Sequence, residues 1–171
     1  MRHKLTAVAV AAITAAGTGT FAAVTANAAP ASGHHSAASG TEHVVLVTTN
    51  PNGNPHALFT GPLKSAGLDR EHNNYGEAVL PGGTFRIGHP GGKYRQKVVK
   101  STCTVIGTVT GKYTLSHGTG DYAGIKGHGK YVATVSGLLK KKANGSCNLK
   151  TKTPADFSET IVASGPITLA N

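Results

Sequence analysis

Six acidic and histidine side chains are our candidates for an acid, a base or a nucleophile: Glu77, Asp121, Glu159, His89, His117 and His128. Glu159 is the strongest candidate, because it has the same strand parity as Phe157 and Ile161 and would face the same side as these apolar residues. Burial on that side would raise the pKa of its carboxyl group and suit it to proton transfer. The competing interpretation is a carboxylate that is solvated, or paired with a lysine, at the edge of a strand.

Three of the other candidates have structural interpretations. His117 and His128 flank a glycine-rich segment and are expected to bond its backbone, while Asp121 is expected to bond turn amides. The chain contains no G-x-S-x-G, no H-E-x-x-H and no phosphate-binding loop, since Gly118 and Gly120 do not open a helix. We therefore predict neither a metal nor a cofactor.

The N-terminus has the three-part layout of a secretory signal. Arg2 and Lys4 flank His3, an uncharged apolar stretch follows, and the small residues at positions 26–28 form an A-x-A cleavage site. A transmembrane anchor is the alternative, but the stretch is rich in Ala, Thr and Gly and only weakly hydrophobic. We expect a signal peptide over residues 1–28, a disordered tail over 29–41, a single domain over 42–171 and secretion.

Cys103 and Cys147 are the two cysteines of the chain. In an oxidising compartment an isolated pair is most simply a disulfide. Neither cysteine belongs to a C-x-x-C motif, and neither lies in a zinc-finger spacing with histidine, so a metal site or a nucleophile is the weaker interpretation. The sequence therefore predicts a Cys103–Cys147 disulfide.

The expected mature chain is strongly basic. Removal of residues 1–28 takes Arg2 and Lys4 from the 17 basic residues and leaves 15 against 7 acidic ones, a net charge of +8. Such a charge favours anionic partners, and the densest cluster is Lys140, Lys141 and Lys142. A generally solvated basic surface is the alternative, and nucleic acid is disfavoured because no binding motif and no Trp accompany the lysines.

Alternation with a period of two residues dominates the second half of the chain. Odd positions from Cys103 to Leu115 are apolar or small, and the even positions are rich in Thr, as in a long strand. Tyr113 lies on this apolar face, Tyr131 begins a similar pattern, and Phe157 shares the parity of Glu159, so these three aromatic residues are our candidates for a ligand cavity.

Shorter strands, turns and loops complete the prediction. Strands are expected over 44–49, 56–60, 77–80 and 84–89, a loop over 61–75, and a hairpin tip at Asn144-Gly145. Five glycines between Gly118 and Tyr131 exclude a helix and indicate a tight corner that leads into a strand. About eight strands, several with internal glycines, predict an all-β fold: a small, closed, antiparallel barrel.

The glycine-rich segment Gly118–Tyr131 resembles that of the allene oxide cyclase-like, dirigent-like barrels, and in particular their small secreted actinobacterial members. Three further stretches agree with this resemblance: Pro81–His89, Thr102–Thr104 and the ending Phe157–Leu169. It spans residues 42–169 and implies an eight-stranded antiparallel barrel of calycin-like shape with an inner cavity. Its relatives include cyclases and proteins that orient radical coupling without chemistry of their own, and no pocket residue is carried over from them.

Two classes of function are therefore expected. The first is binding without catalysis, of an apolar small molecule inside the barrel or of an anionic polymer at Lys140, Lys141 and Lys142. The second is a cyclase or isomerase that acts in the cavity by shape and proximity, with few titrating groups.

Overall fold

The structure, a computed structural model, describes residues 38–73, 75–150 and 154–170. These residues form nine β-strands and a single 3-10 turn at Gly120–Tyr122. The strands are β1 (Ser39–Thr48), β2 (His56–Phe59), β3 (Ser65–Glu71), β4 (Tyr75–Leu80), β5 (Gly83–Gly88), β6 (Gly92–Val99), β7 (Thr104–Ser116), β8 (Lys126–Leu138) and β9 (Ala155–Thr168). The predicted signal peptide and most of the predicted tail lie outside the described residues.

The strands close into a barrel. Hydrogen-bonded neighbours follow the order β5-β4-β3-β2-β1-β9-β8-β7-β6, and all pairs are antiparallel. One edge of β7 pairs with β8, so β6 and β5 must share its other edge, β6 along Thr104–Gly111 and β5 along Thr114–Ser116. Strands β5 and β6 together fill one of the eight strand positions around the barrel, next to β7. The predicted closed barrel of eight antiparallel strands is therefore confirmed.

One end of the barrel is filled by aromatic side chains. Phe85 packs edge to face on Phe59 and on Tyr122, with ring centroids 5.6 and 5.5 Å apart. The Tyr122 hydroxyl donates a hydrogen bond of 2.8 Å to the Pro81 carbonyl, which fixes the 3-10 turn under the barrel. A side chain at Gly118 would overlap the Tyr122 carbonyl, so the corner requires glycine there. We call this the closed end.

A buried carboxylate braces the closed end from β1. Glu42 has no exposed surface, and its two oxygens accept hydrogen bonds from the backbone N–H groups of Gly61 at 2.6 Å and Leu63 at 3.0 Å. Because both oxygens are bonded to the chain that follows β2, the group is a structural carboxylate.

Two segments differ from the prediction. Strand β1 begins at Ser39, ahead of the expected domain start at Glu42, because Ser39–Thr41 pair with Thr168–Pro166 of β9. The expected loop over 61–75 is wrong, since Ser65–Glu71 forms β3. The inward positions of β3 include Gly67 and Asp69 instead of large apolar residues, so no apolar alternation marks this strand.

The disulfide and the hairpin tip are confirmed. Cys103 and Cys147 are bonded, with their Cα atoms 5.3 Å apart. The tip is closed by the bond from Gly145 N–H to the Lys142 carbonyl, at 2.9 Å. Cys103 is buried with Val105 and Leu139 in a small second core, so the bond ties the hairpin after β8 to the start of β7. No helix within the described ranges is long and apolar enough to cross a membrane.

Candidate functional site

A cavity of about 420 Å³ occupies the barrel between its core and the end opposite the closed one. This volume lies in the range of sites for small organic molecules. Exposed Asn52 and Asn54 in the loop between β1 and β2, and exposed Glu71, belong to its wall, so the cavity reaches solvent there. We call this the open end. Inward residues of β1, β7, β8 and β9 form most of the apolar wall: Val44, Leu46, Val109, Leu115, Ala133, Val135, Ile161 and Ala163.

Glycines in the wall make room for the tyrosines of the cavity. Tyr131 lies opposite Gly111 in the β7–β8 register, and Tyr113 lies opposite Gly129. A Cβ atom at Gly111 would stand 2.6 Å from Cζ of Tyr131, and one at Gly129 would stand 2.6 Å from Cε1 of Tyr113. The rings therefore lie directly over glycine backbone, an arrangement known to support glycine in sheets.

Asp69 is the most deeply buried acid of the cavity wall. It projects inward from β3, is 2 % exposed, and lies over Gly76, where a Cβ atom would approach its Oδ2 to 2.6 Å. Burial raises the pKa of its carboxyl group to about 7, and the nearby Glu71 carboxylate adds to the effect. Both protonation states of Asp69 are therefore accessible near neutral pH.

His89 and Glu71 form an ion pair at the open end. His89 Nε2 lies 3.6 Å from Glu71 Oε2, which is an electrostatic contact but too long for a hydrogen bond. The Glu71 carboxylate raises the pKa of the His89 imidazole, against the opposing effect of burial. Glu159 projects inward from β9, and burial together with Glu71 raises the pKa of its carboxyl group as well.

Three buried polar atoms in this cavity have no hydrogen-bond partner among the described residues. They are Asp69 Oδ1, His89 Nε2 and the Tyr113 hydroxyl, and no other side-chain polar atom of the described part of the chain is in this condition. Tyr113 is 3 % exposed, and burial, with a contribution from Glu42, raises the pKa of its phenol. Buried polar atoms in proteins are normally bonded, so three unbonded ones around one cavity require an explanation.

The structure places the sequence candidates as follows. Glu159, Tyr113, Tyr131 and Phe157 line the cavity, and their roles in binding or catalysis stay predictions. Lys140, Lys141 and Lys142 are exposed on the hairpin, outside the cavity wall. Of the other proton-transfer candidates, His89 lines the cavity, while Glu77, Asp121, His117 and His128 do not.

Sequence reasoning missed Asp69 and Glu71. Both residues lie in the charged stretch 69–72, inside the segment that is predicted as a loop. Their spacing of two residues, which puts both acids on one side of a strand, is the only signal that could identify them as cavity residues. His117 bonds Ser116 Oγ through Nδ1 at 2.9 Å, instead of the backbone bond that was expected.

In the described ranges no three His, Cys, Asp or Glu side chains are grouped so as to hold a metal ion. Comparison of the chain with protein-family models, with curated proteins and with solved structures finds no match. The functional assignment therefore depends on the cavity and its residues.

Proposed function

We propose that this protein is secreted and that its barrel binds a small, largely apolar molecule in the cavity. One observation carries the proposal: three buried, unbonded polar atoms, on Asp69, His89 and Tyr113, border a cavity whose wall is otherwise mostly apolar. A few fixed polar groups within an apolar wall are typical of ligand sites, because the wall supplies affinity and the polar groups set orientation.

Several features support this function. The cavity reaches solvent at the loop between β1 and β2, away from the packed core of the closed end. The disulfide is compatible with an extracellular protein, in agreement with the predicted signal peptide. The resemblance to allene oxide cyclase-like and dirigent-like barrels also favours use of the barrel interior.

Binding can be tested with a neutral apolar probe, N-phenyl-naphthylamine, titrated into the purified secreted protein. Ala133→Phe would fill the cavity, because Ala133 is buried in its wall, and we expect it to abolish the rise in probe fluorescence. Val132→Phe is the matched control, since Val132 is the next residue on β8 and is 45 % exposed on the outside. Equal probe binding by both variants would contradict the proposal.

Acid–base catalysis in the same cavity is the second candidate. Asp69, whose pKa is about 7, can offer a proton to a molecule in the cavity, while the Glu71–His89 pair and Glu159, which line the same cavity, can accept one. A cyclase or isomerase of this kind would lose turnover in Asp69→Asn while it retained binding of the neutral probe.

A basic outer surface favours an anionic polymer as a further partner. Strands β6, β7 and β8 contain no acidic residue, and Lys93, Arg95 and Lys97 alternate with the cavity residue Tyr94, so they point outward. Lys112 and Lys130 lie directly opposite each other on the same outer surface. Like charges in this position are unfavourable in isolation, and a polyanion would stabilise them.

A further inference from the structure

We propose that the ligand of the cavity is a cation: a protonated amine on an apolar or aromatic body, with its ammonium group between the carboxylates of Asp69, Glu71 and Glu159. This inference rests on the proposed binding function and specifies the chemical class of the ligand.

The charge inside the barrel is opposite to the charge outside. The cavity wall contains three carboxyl groups and one imidazole, those of Asp69, Glu71, Glu159 and His89. No lysine or arginine of the described ranges contributes to this wall. The charged groups that a cation meets in this wall are therefore acidic, apart from the partly buried His89, which lies against Glu71.

The unbonded atoms of the wall need donors. An ionised carboxylate can only accept hydrogen bonds, and Asp69 Oδ1 has no donor among the described residues although the side chain is almost fully buried. An ammonium group supplies three donors and a compensating charge, whereas a neutral hydroxyl supplies one donor and a carboxylate would be repelled. The Tyr113 hydroxyl, buried and unbonded on β7, is a second, independent acceptor that faces the same cavity.

The rest of the wall suits the body of such a ligand. Tyr94, Tyr131 and Phe157 line the cavity and can place the face of an aromatic ring against a cation or a ligand ring. Val109, Leu46 and other aliphatic residues cover the remaining surface, so the apolar body is desolvated when the ammonium reaches the acids.

The pH dependence follows from the titratable groups around Asp69. Glu71 on the same strand and His89 after β5 act on Asp69 directly, and Glu159 on β9 lines the same cavity. Below its pKa of about 7 Asp69 takes up a proton and loses its attraction for a cation. A protonated His89 also competes for Glu71. The affinity for an amine that stays protonated should therefore rise about tenfold from about pH 5 to about pH 8, with release of protons at pH 7.

The test compares three probes with one skeleton by calorimetry at about pH 8: naphthylethylamine, naphthylethanol and naphthylpropanoic acid. We expect the amine to bind about tenfold more tightly than the alcohol, and the acid most weakly. Asp69→Asn and Glu159→Gln should each remove most of the preference for the amine. Glu77→Gln is the matched control, because Glu77 lies outside the cavity wall, beside His72.

The outcomes separate the two proposals. The cation proposal is wrong if the alcohol binds as tightly as the amine, or if both cavity variants still bind the amine more tightly than the alcohol. Either result leaves the proposed binding of a neutral apolar molecule intact. If neither these probes nor N-phenyl-naphthylamine binds, both proposals fall. Far-UV circular dichroism of each variant shows whether a loss of binding reflects unfolding, and Glu159→Gln provides a second variant should Asp69→Asn misfold.

Discussion

Asp69 shows how a neighbouring residue without a side chain can set the chemistry of a carboxyl group. Gly76 on β4 leaves the space that the Asp69 carboxylate occupies, and this space is what permits its burial. Burial in turn holds the pKa far above its ordinary value, with Glu71 adding to the effect. The free energy of folding and the protonation of the cavity are therefore coupled through this one group.

We predict that Asp69 makes the protein less stable as pH rises. Its pKa is 3.8 ordinarily and about 7 in the folded state, so between these values the folded state binds more protons than the unfolded state. The free energy of unfolding then falls as pH rises through this window, by at most about 4 kcal/mol. The raised pKa values of Glu159 and His89 act in the same direction.

Urea unfolding at a series of pH values measures this effect. Asp69→Asn should flatten the slope and should be more stable than the natural protein at about pH 8, by roughly 1–4 kcal/mol. Glu77→Gln should keep the slope. A natural protein with equal stability at both ends of the window would refute this account of Asp69.

The candidate residues could be predicted only where they shared a strand with apolar neighbours. Tyr113, Tyr131, Phe157 and Glu159 follow or continue a period-two pattern, so their inward direction was visible in the sequence. Asp69 could not be found this way, because its burial depends on Gly76 of the next strand, which the sequence does not pair with it.

At the scale of the strand, crossed Gly–Tyr pairs join β7 to β8. Gly111 supports the ring of Tyr131, and Gly129 supports the ring of Tyr113, so each strand provides one glycine and one ring. The two sites differ in what surrounds the glycine. The three atoms nearest to a Cβ atom at Gly111 all belong to the Tyr131 side chain, whereas at Gly129 the backbone carbonyl of Ser164 is close as well.

We predict that Gly111→Ala destabilises the protein by about 1–3 kcal/mol, because the new methyl group overlaps the Tyr131 ring. Tyr131→Leu should recover part of this loss when combined with Gly111→Ala, and a double-mutant cycle from urea unfolding measures the coupling. Gly129→Ala with Tyr113→Leu is the comparison, and it should show little recovery because the Ser164 carbonyl remains in the way. Purely additive effects for the first pair would contradict the proposed contact.

The disulfide acts on the hairpin after β8. We predict that reduction lowers the free energy of unfolding by about 2–4 kcal/mol. The bond joins the hairpin to Val105 and Leu139 in the second core, which has few other members. Cys147→Ser should show the same loss without reductant and no further loss with it. An unchanged denaturation midpoint on reduction would mean that the second core holds the hairpin by itself.

The strands that the sequence revealed are those with one clearly apolar side. Strands β7, β8 and β9 alternate between cavity and solvent along most of their length. Strand β6 does not stand out in the sequence, because it is exposed at six successive positions, 92–97, and has no clearly apolar side. Its conformation is fixed by pairing with β7, which is a tertiary effect.

On the scale of the whole molecule, positive and negative charges are separated between the outside of the barrel and its cavity. The outer surface of β6 to β8 is basic, whereas Asp69 and Glu71 of β3 and Glu159 of β9 line the cavity. A small cation and a polyanion would therefore use different surfaces of the barrel, and either could bind without the other.

We predict that the protein elutes from a heparin column only at elevated salt, because its attraction for a polyanion is screened by ions. Two triple variants remove the same number of charges: Lys93→Gln, Arg95→Gln, Lys97→Gln on β6, and Lys140→Gln, Lys141→Gln, Lys142→Gln on the hairpin. Both should elute earlier, the β6 variant by more, since its side chains share the outer surface of Lys112 and Lys130. Both variants should bind N-phenyl-naphthylamine as the natural protein does. If both elute at the same salt concentration as the natural protein, the outer surface does not bind a polyanion through these residues.

The placement of the tyrosines also has an optical consequence. The chain has no Trp and five Tyr, and Tyr94, Tyr113 and Tyr131 all border the cavity. Ultraviolet emission of the protein therefore comes from phenols, most of which border the space that a bound molecule would fill. The phenols of Tyr113 and Tyr131 also interact with the carboxylates of Glu42 and Glu71, which can quench an excited phenol by taking its proton. Entry of a molecule changes both the surroundings and the quenching, so the unlabelled protein carries its own spectroscopic signal of occupancy.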